Sequence, residues 1–161
     1  MAISQAPVNI PMLENSSHFS LGLLLRLTHQ QWTLAVDASL EEAGYTGIRP
    51  HHANVFTFVP PEGIQVSELT KLAHMRKQSM TQTIEELERL GYVERRPDPN
   101  DKRARLIYLT ERGKGVKPVA IAAGRRVDAL WSELTSPEEI ETLRNSLRSI
   151  LACIENNNDS N

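Results

Sequence analysis

"YVERRPDPNDKRARLIYLTERG", residues 92–113, is the stretch on which the fold turns. Two runs of alternating side chains, Tyr92–Arg96 and Arg105–Leu109, flank a short charged segment. Alternation at period two is the pattern of a half-buried strand. Asp98–Pro99–Asn100 supplies the turn chemistry between them, an Asx residue followed by a proline. The segment therefore predicts an antiparallel hairpin whose tip carries Asp98, Asp101, Lys102, Arg103 and Arg105. A tip narrow enough to enter a minor groove needs a cation, because the potential there is negative. The plainer explanation is a surface hairpin whose charges pair among themselves, and such pairs are common and weak.

Working outward, the segments before the hairpin read as helices. Leu21, Leu24, Leu27, Thr28, Gln31, Leu34 and Ala38 recur at three- and four-residue spacing in a long helix opening at Ser17, closed near Gly44. Pro50 opens a short helix through Val59 that buries Ala53, Val55, Phe56 and Val59. Ile64–Gln65 makes a stub of strand, and "VSELTKLAHM" a two-turn helix with Leu69, Leu72 and Ala73 inward. "KQSMTQTIEELERL" then puts Met80, Ile84, Leu87 and Leu90 on one face, with Gly91 placed to leave the helix left-handed. Two short helices joined tightly and followed by a hairpin is the order of a winged helix-turn-helix.

After the hairpin, Val116, Val119, Ala120, Ala123, Val127, Leu130 and Leu134 form another stripe, with Pro118 expected near the first turn or bending the helix. Ser136–Pro137–Glu138–Glu139 is a strong helix start, with Ser as N-cap, Pro at the first turn and acids on the positive dipole end. The helix it opens carries Ile140, Leu143, Leu147, Ile150 and Ile154 at spacings of three and four, a seam suited to a second subunit. The expected architecture is mainly α with a small antiparallel β-hairpin wing, a winged helix-turn-helix lobe joined to a helical dimerisation lobe from the terminal helices. The divisions are a flexible arm at 1–16, a dimerisation region at 17–47 and 111–156, a DNA-binding lobe at 48–110, and a disordered tail at 157–161.

The net charge of −2 hides an asymmetry. Residues 71–105 carry nine Lys and Arg against six Asp and Glu, whereas residues 1–70 carry two against six. A basic middle between acidic flanks suits a local phosphate-binding face, and suits an ordinary solvated surface about as well. No stretch approaches the roughly 20 apolar residues of a membrane span, and the first residues have no secretory pattern. With the single Cys153, which fits a reducing compartment and a structural or incidental thiol, this points to the cytoplasm.

No catalytic constellation is present: there is no phosphate-cradling glycine loop, no Cys-x-x-Cys or zinc-protease spacing, and no nucleophile elbow. No cofactor is expected, and no metal. His51 and His52 are adjacent, so on a helix their rings point about 100° apart and do not easily share an ion.

Residues ~20–155 resemble the MarR family of bacterial transcription regulators, which are winged-helix homodimers. The resemblance is carried by "LERLGYVERRPDPNDKRARLIYLTERG", which follows the family's Leu-Glu, Gly, apolar pair with Glu-Arg, Asp-Pro-x-Asp-x-Arg and Leu-Thr-Glu-x-Gly. "RKQSM" is similar to the start of the recognition helix in one branch, where Thr commonly stands at the place of Arg76. Arg cannot accept a hydrogen bond from the first turn, so Arg76 is free to meet a phosphate. The resemblance implies Gln78, Thr81 and Gln82 as base readers and Lys77 and Ser79 as phosphate contacts. It also implies Arg103 as the wing-tip cation oriented by Asp101, with Arg95, Arg96, Lys102 and Arg105 on the backbone. It implies a ligand-responsive repressor on a pseudo-palindromic operator. A small aromatic effector would sit between the lobes near Arg26, Trp32, Tyr45, His51, His52 and Phe56. The subunit seam would comprise Val119, Ala123, Ile140, Leu143, Leu147, Ile150 and Ile154. A winged-helix protein-interaction module and a metal-sensing regulator remain the alternatives.

Overall fold

The computed structural model describes residues 19–101 and 103–158. Helix α1 (Leu21–Glu42) is followed by a 3-10 turn (Pro50–His52), α2 (Ala53–Phe58), β1 (Ile64–Gln65), α3 (Val66–Leu72) and α4 (Lys77–Arg89). Strands β2 (Val93–Pro97) and β3 (Arg105–Leu109) precede two long helices, α5 (Glu111–Leu134) and α6 (Pro137–Asn158). The expected N-terminal arm and Lys102 lie outside the described residues. So do residues 159–161 of the expected tail, whereas residues 157–158 close α6. Among the described residues no helix is long and apolar enough to cross a membrane.

Two compact units divide within α1, at Gln31 and Trp32. In the first, Ser20 caps the helix: its hydroxyl accepts the Leu23 amide at 3.2 Å and its carbonyl the Leu24 amide at 3.1 Å. The helix thus opens at Leu21 rather than Ser17, with Leu21, Leu24 and Leu25 exposed.

The second unit holds the core: Val36, Leu40, Val55, Phe56, Leu69, Met80, Ile84, Leu87, Tyr92, Ile107, Val116 and Ala123 form one buried cluster, with Trp32 packed against it. The inward face of α1 is therefore 32, 36 and 40, and the expected stripe through Leu34 and Ala38 faces outward. Leucines on several sides of this helix left its periodicity ambiguous. Ala53 and Leu72, expected inside, are also exposed, while Leu69 is fully buried.

The sheet order is β1-β3-β2, antiparallel throughout, with Val93 opposite Leu109 and Pro97 opposite Arg105. The hairpin starts one residue later than the alternation suggests, and the reason is local. Tyr92 donates its amide to Leu87 O at 2.9 Å and Gly91 donates to Glu88 O at 3.0 Å, so both amides close the end of α4. Gly91 makes this possible at φ 77°. Pro97 is tolerated because β2 is an edge strand.

Thr110 joins hairpin to helix. Its amide donates to Tyr92 O at 3.0 Å, its hydroxyl donates to Gly91 O at 2.7 Å, and the same oxygen accepts the Gly113 amide at 3.1 Å as the N-cap of α5. Gly113 lies so close to β2 that a Cβ there would stand 2.1 Å from Tyr92 O. Pro118 sits inside α5, beyond its first turn. Ser136 caps α6 as the sequence suggests, its hydroxyl accepting the Glu139 amide at 3.1 Å.

Candidate nucleic-acid interface

Helix α4 is divided sharply between two faces. Met80, Ile84 and Leu87 are 0% exposed and Thr83 is 2% exposed, so the inner face is wholly committed to the core. Lys77, Gln78, Thr81, Gln82 and Glu85 line a shallow outer concavity. Four of these were expected from the sequence; Glu85 was not, although its spacing from Gln78 and Gln82 places it on their face. Ser79 is exposed but does not line this surface. Thr81 is half-buried and its hydroxyl donates to Lys77 O at 2.9 Å, leaving only its lone pairs for an outside donor. Arg76 stands at the N-cap with extended backbone and no side-chain cap bond, as its lack of an acceptor requires.

The hairpin holds its cations in two ways. Arg103 and Arg105 are exposed. Arg95 instead pairs with Glu88 of α4 at 3.1 Å, and Arg96 pairs with Glu94 and lies 4.7 Å over the Tyr108 ring. Each is engaged within the protein, where a carboxylate or aromatic face lies in reach, yet their side chains stay 32% and 58% exposed, so an outside partner can still meet them. Asp101 Oδ1 accepts the backbone amide of Arg103 at 2.9 Å and so shapes the turn that carries this arginine.

Asp98 is buried at the hairpin base. It accepts the Asn100 amide at 2.8 Å and Gln65 Nε2 at 3.0 Å, and these two bonds hold its carboxyl below the ordinary carboxylate range. Gln65 thus ties β1 to the wing, a role that nothing local to Gln65 announces.

Two of the residues expected around an effector, Tyr45 and Phe56, flank the Tyr92 ring. Phe56 is buried and meets Tyr92 edge-on at 5.8 Å, while Tyr45 lies 6.4 Å from the same ring. Trp32 packs on the core, and Arg26 is an exposed residue of the first unit. His51 and His52 both point at one oxygen: their Nε2 atoms lie 3.1 and 3.0 Å from Glu86 Oε2. The expectation of diverging rings is wrong, because the two sit on a 3-10 turn facing α4, with ring centroids 4.2 Å apart.

Among the described residues, His51, His52 and Glu86 form the cluster with metal-ligand character. The protonation pattern opposes that use. His52 Nδ1 accepts the Arg49 amide at 3.0 Å, so the proton of the neutral ring is on Nε2, and a metal there would force a second donor against that amide. Burial pushes the His52 pKa down, and the bonds from His52, His51 and Gln82 pull the Glu86 carboxyl down to about 2.

A crevice of about 290 Å³ does exist elsewhere, between the end of α2, the hairpin and the start of α5. Phe56, Pro60 and Tyr108 give it apolar walls, and Arg96, Lys114 and Lys117 give it cations.

A sequence model of the MarR family matches residues 46–104, the span from the end of α1 to the wing tip. The transcriptional regulator HosA of Escherichia coli O111:H- is 29% identical over 103 residues, 64% of this chain and 76% of the relative. The transcriptional activatory protein BadR of Rhodopseudomonas palustris is 28% identical over 149 residues, 89% of this chain and 79% of the relative. The chain resembles the MarR family over residues 46–104. The fold agrees: CouR from Rhodococcus jostii RHA1, crystallised with p-coumaroyl-CoA, superposes with a TM-score of 0.61 at 26% identity over 81% of this chain and 91% of CouR. HosA and BadR are both named as transcriptional proteins, one a regulator and the other an activator.

Proposed function

We propose that this chain is a MarR-family regulator that represses transcription by binding double-stranded DNA as a homodimer, on a pseudo-palindromic operator whose half-sites lie about one helical turn apart. One observation carries the reading. Helix α4 spends one face entirely on the core and turns Lys77, Gln78, Thr81 and Gln82 outward beside a hairpin that keeps Arg103 and Arg105 exposed. Amides and a hydroxyl read base edges, and the cations meet phosphate and minor groove. A regulator of this kind acts where the DNA is, in the cytoplasm.

The dimer reading rests on α6. Leu143, Ile150 and Ile154 are 45%, 46% and 50% exposed in the single chain, with Ile140 and Leu147 half-buried between them. So long an apolar seam, continuous over the helix, suits a second copy. Of the expected seam, Ala123 is 1% exposed and belongs to the chain's own core, so the interface is proposed without it. Residues 48–110 would form the DNA-binding lobe, with 17–47 and 111–156 forming the dimer.

The effector site is proposed at the crevice rather than at Arg26, Trp32, Tyr45 and the two histidines. Its volume suits a single-ring ligand, and Lys114, Lys117 and Arg96 suit a carboxylate on that ring. The CouR ligand, an aromatic acyl thioester, gives the aromatic class a precedent in a relative. Such a ligand releases DNA only by favouring one conformation over another.

The test is fluorescence anisotropy against the duplex upstream of the chain's own gene and a scrambled control, at two salt concentrations. Tight, salt-sensitive preference for the native duplex is expected. Equal, salt-insensitive binding of both would overturn the reading in favour of a protein-interaction module.

A further inference from the structure

The Glu86 carboxylate joins the core of the lobe to a base-reading candidate. Its Oε2 receives His51 and His52, and its Oε1 receives Gln82 Nε2 at 3.1 Å. An exposed Gln–Glu pair four residues apart on a helix is by itself weak and mobile. This one is anchored. His52 is 1% exposed and held at Nδ1 by the Arg49 amide, so its Nε2–H has one direction to point and fixes the carboxylate from behind.

The consequence is chemical. An ionised carboxylate only accepts, so the nitrogen of the Gln82 amide must face Glu86 and its oxygen must not. What Gln82 then turns outward is one N–H beside one C=O. That pair matches adenine in the major groove, which offers the N7 acceptor beside the N6 donor. It mismatches guanine, whose N7 and O6 both accept. We infer that Glu86 is a positioning residue that sets the base preference of Gln82, held in place by His51 and His52. The inference rests on the DNA-binding reading of α4.

It makes an unusual demand on the isosteric substitution. In Glu86→Gln the histidine N–H groups claim the new carbonyl oxygen, and the new NH2 group faces Gln82. The Gln82 amide must then flip, presenting two N–H donors outward, and guanine becomes the better partner.

The experiment is selection from a randomised duplex pool by the full chain, wild type against Glu86→Gln and Gln82→Ala, each checked for cooperative melting. Wild type is expected to favour adenine over guanine at one position per half-site by roughly tenfold or more. Gln82→Ala should abolish that preference, and Glu86→Gln should reverse it, with the other positions unchanged. A loss of folding or of general affinity would weaken all positions together and could not produce a reversal at one. If Glu86→Gln does not melt cooperatively, Glu86→Ala replaces it, and its preference must fall at that position alone. A wild-type motif that neither residue alters overturns the inference and leaves the DNA-binding reading standing. A wild type that enriches no motif overturns both.

Discussion

Replacing Gly113 by alanine tests how the wing is fastened to α5. A Cβ at this position would stand 2.1 Å from Tyr92 O and 3.1 Å from Tyr92 C, both backbone atoms, with Leu109 Cβ behind at 3.4 Å. Reaching even a 3.0 Å contact requires a movement of about 0.9 Å between α5 and the start of β2. That movement cannot be absorbed by a side-chain rotation. It pulls on the Thr110–Tyr92 backbone bond of 3.0 Å and on the Thr110 cap at Gly113. Overpacking costs about 1–3 kcal/mol, and the cap and bond are worth about 1 kcal/mol each. Alanine returns about 0.5–1 kcal/mol through helix propensity. The expected net loss is about 2–4 kcal/mol, a large part of the ~5–15 kcal/mol of a typical domain. Gly115→Ala is the control, because its Cβ would meet the hydroxyl end of Tyr45, which can rotate away. Urea titrations of both variants and wild type measure the difference. A Gly113→Ala loss under about 1 kcal/mol, or one no larger than that of Gly115→Ala, would refute the close-approach argument.

Three further outcomes are expected. Arg103→Ala should weaken specific DNA binding by about 1–3 kcal/mol at matched salt, measured by anisotropy, and unchanged affinity would remove the wing from the interface. Ile150→Asp should leave helix content intact but convert the proposed dimer to monomer in sedimentation velocity, because it puts a carboxylate into the apolar seam. Retention of the dimer mass would exclude this face. Stability should also fall with acid. His52 has a folded pKa below its ordinary 6.5, so the unfolded chain binds more protons, and its contribution is complete above about 6.5 and lost as pH falls below it. Glu86, held down to about 2 from 4.5, extends the loss below about pH 4.5. Melting temperatures that stay level from about pH 6.5 to 5, or that fall equally in His52→Gln, would contradict the burial of a neutral histidine.

Much of the fold was legible because its signals are local. The Ser136 cap, the left-handed exit at Gly91, the amphipathic period of α4 and the turn residues at 98–100 each act within a few residues of themselves. The same locality explains the outward placement of residues at the candidate site. Lys77, Gln78 and Gln82 had to face outward once Met80, Ile84 and Leu87 faced inward, since one helix cannot bury both sides.

The errors have the opposite character. Helix α1 carries leucines around its circumference, so only packing could choose 32, 36 and 40 over the stripe through Leu34 and Ala38. At the hairpin the sequence did not show that Glu88 of α4 pairs with Arg95, or that Tyr108 underlies Arg96 from the facing strand.

By itself, then, the sequence determined the order of elements, the ends of α4 and α6 that carry clear caps, and the two faces of α4, because capping, turn formation and helical period are decided by neighbours along the chain. The tertiary structure alone decided which cations stay exposed, that Gln65 holds Asp98, and that His51 and His52 meet Glu86 35 and 34 residues away. Those pairings are set by which polar atoms burial brings within 3 Å or so of one another, and no spacing in the sequence encodes that distance.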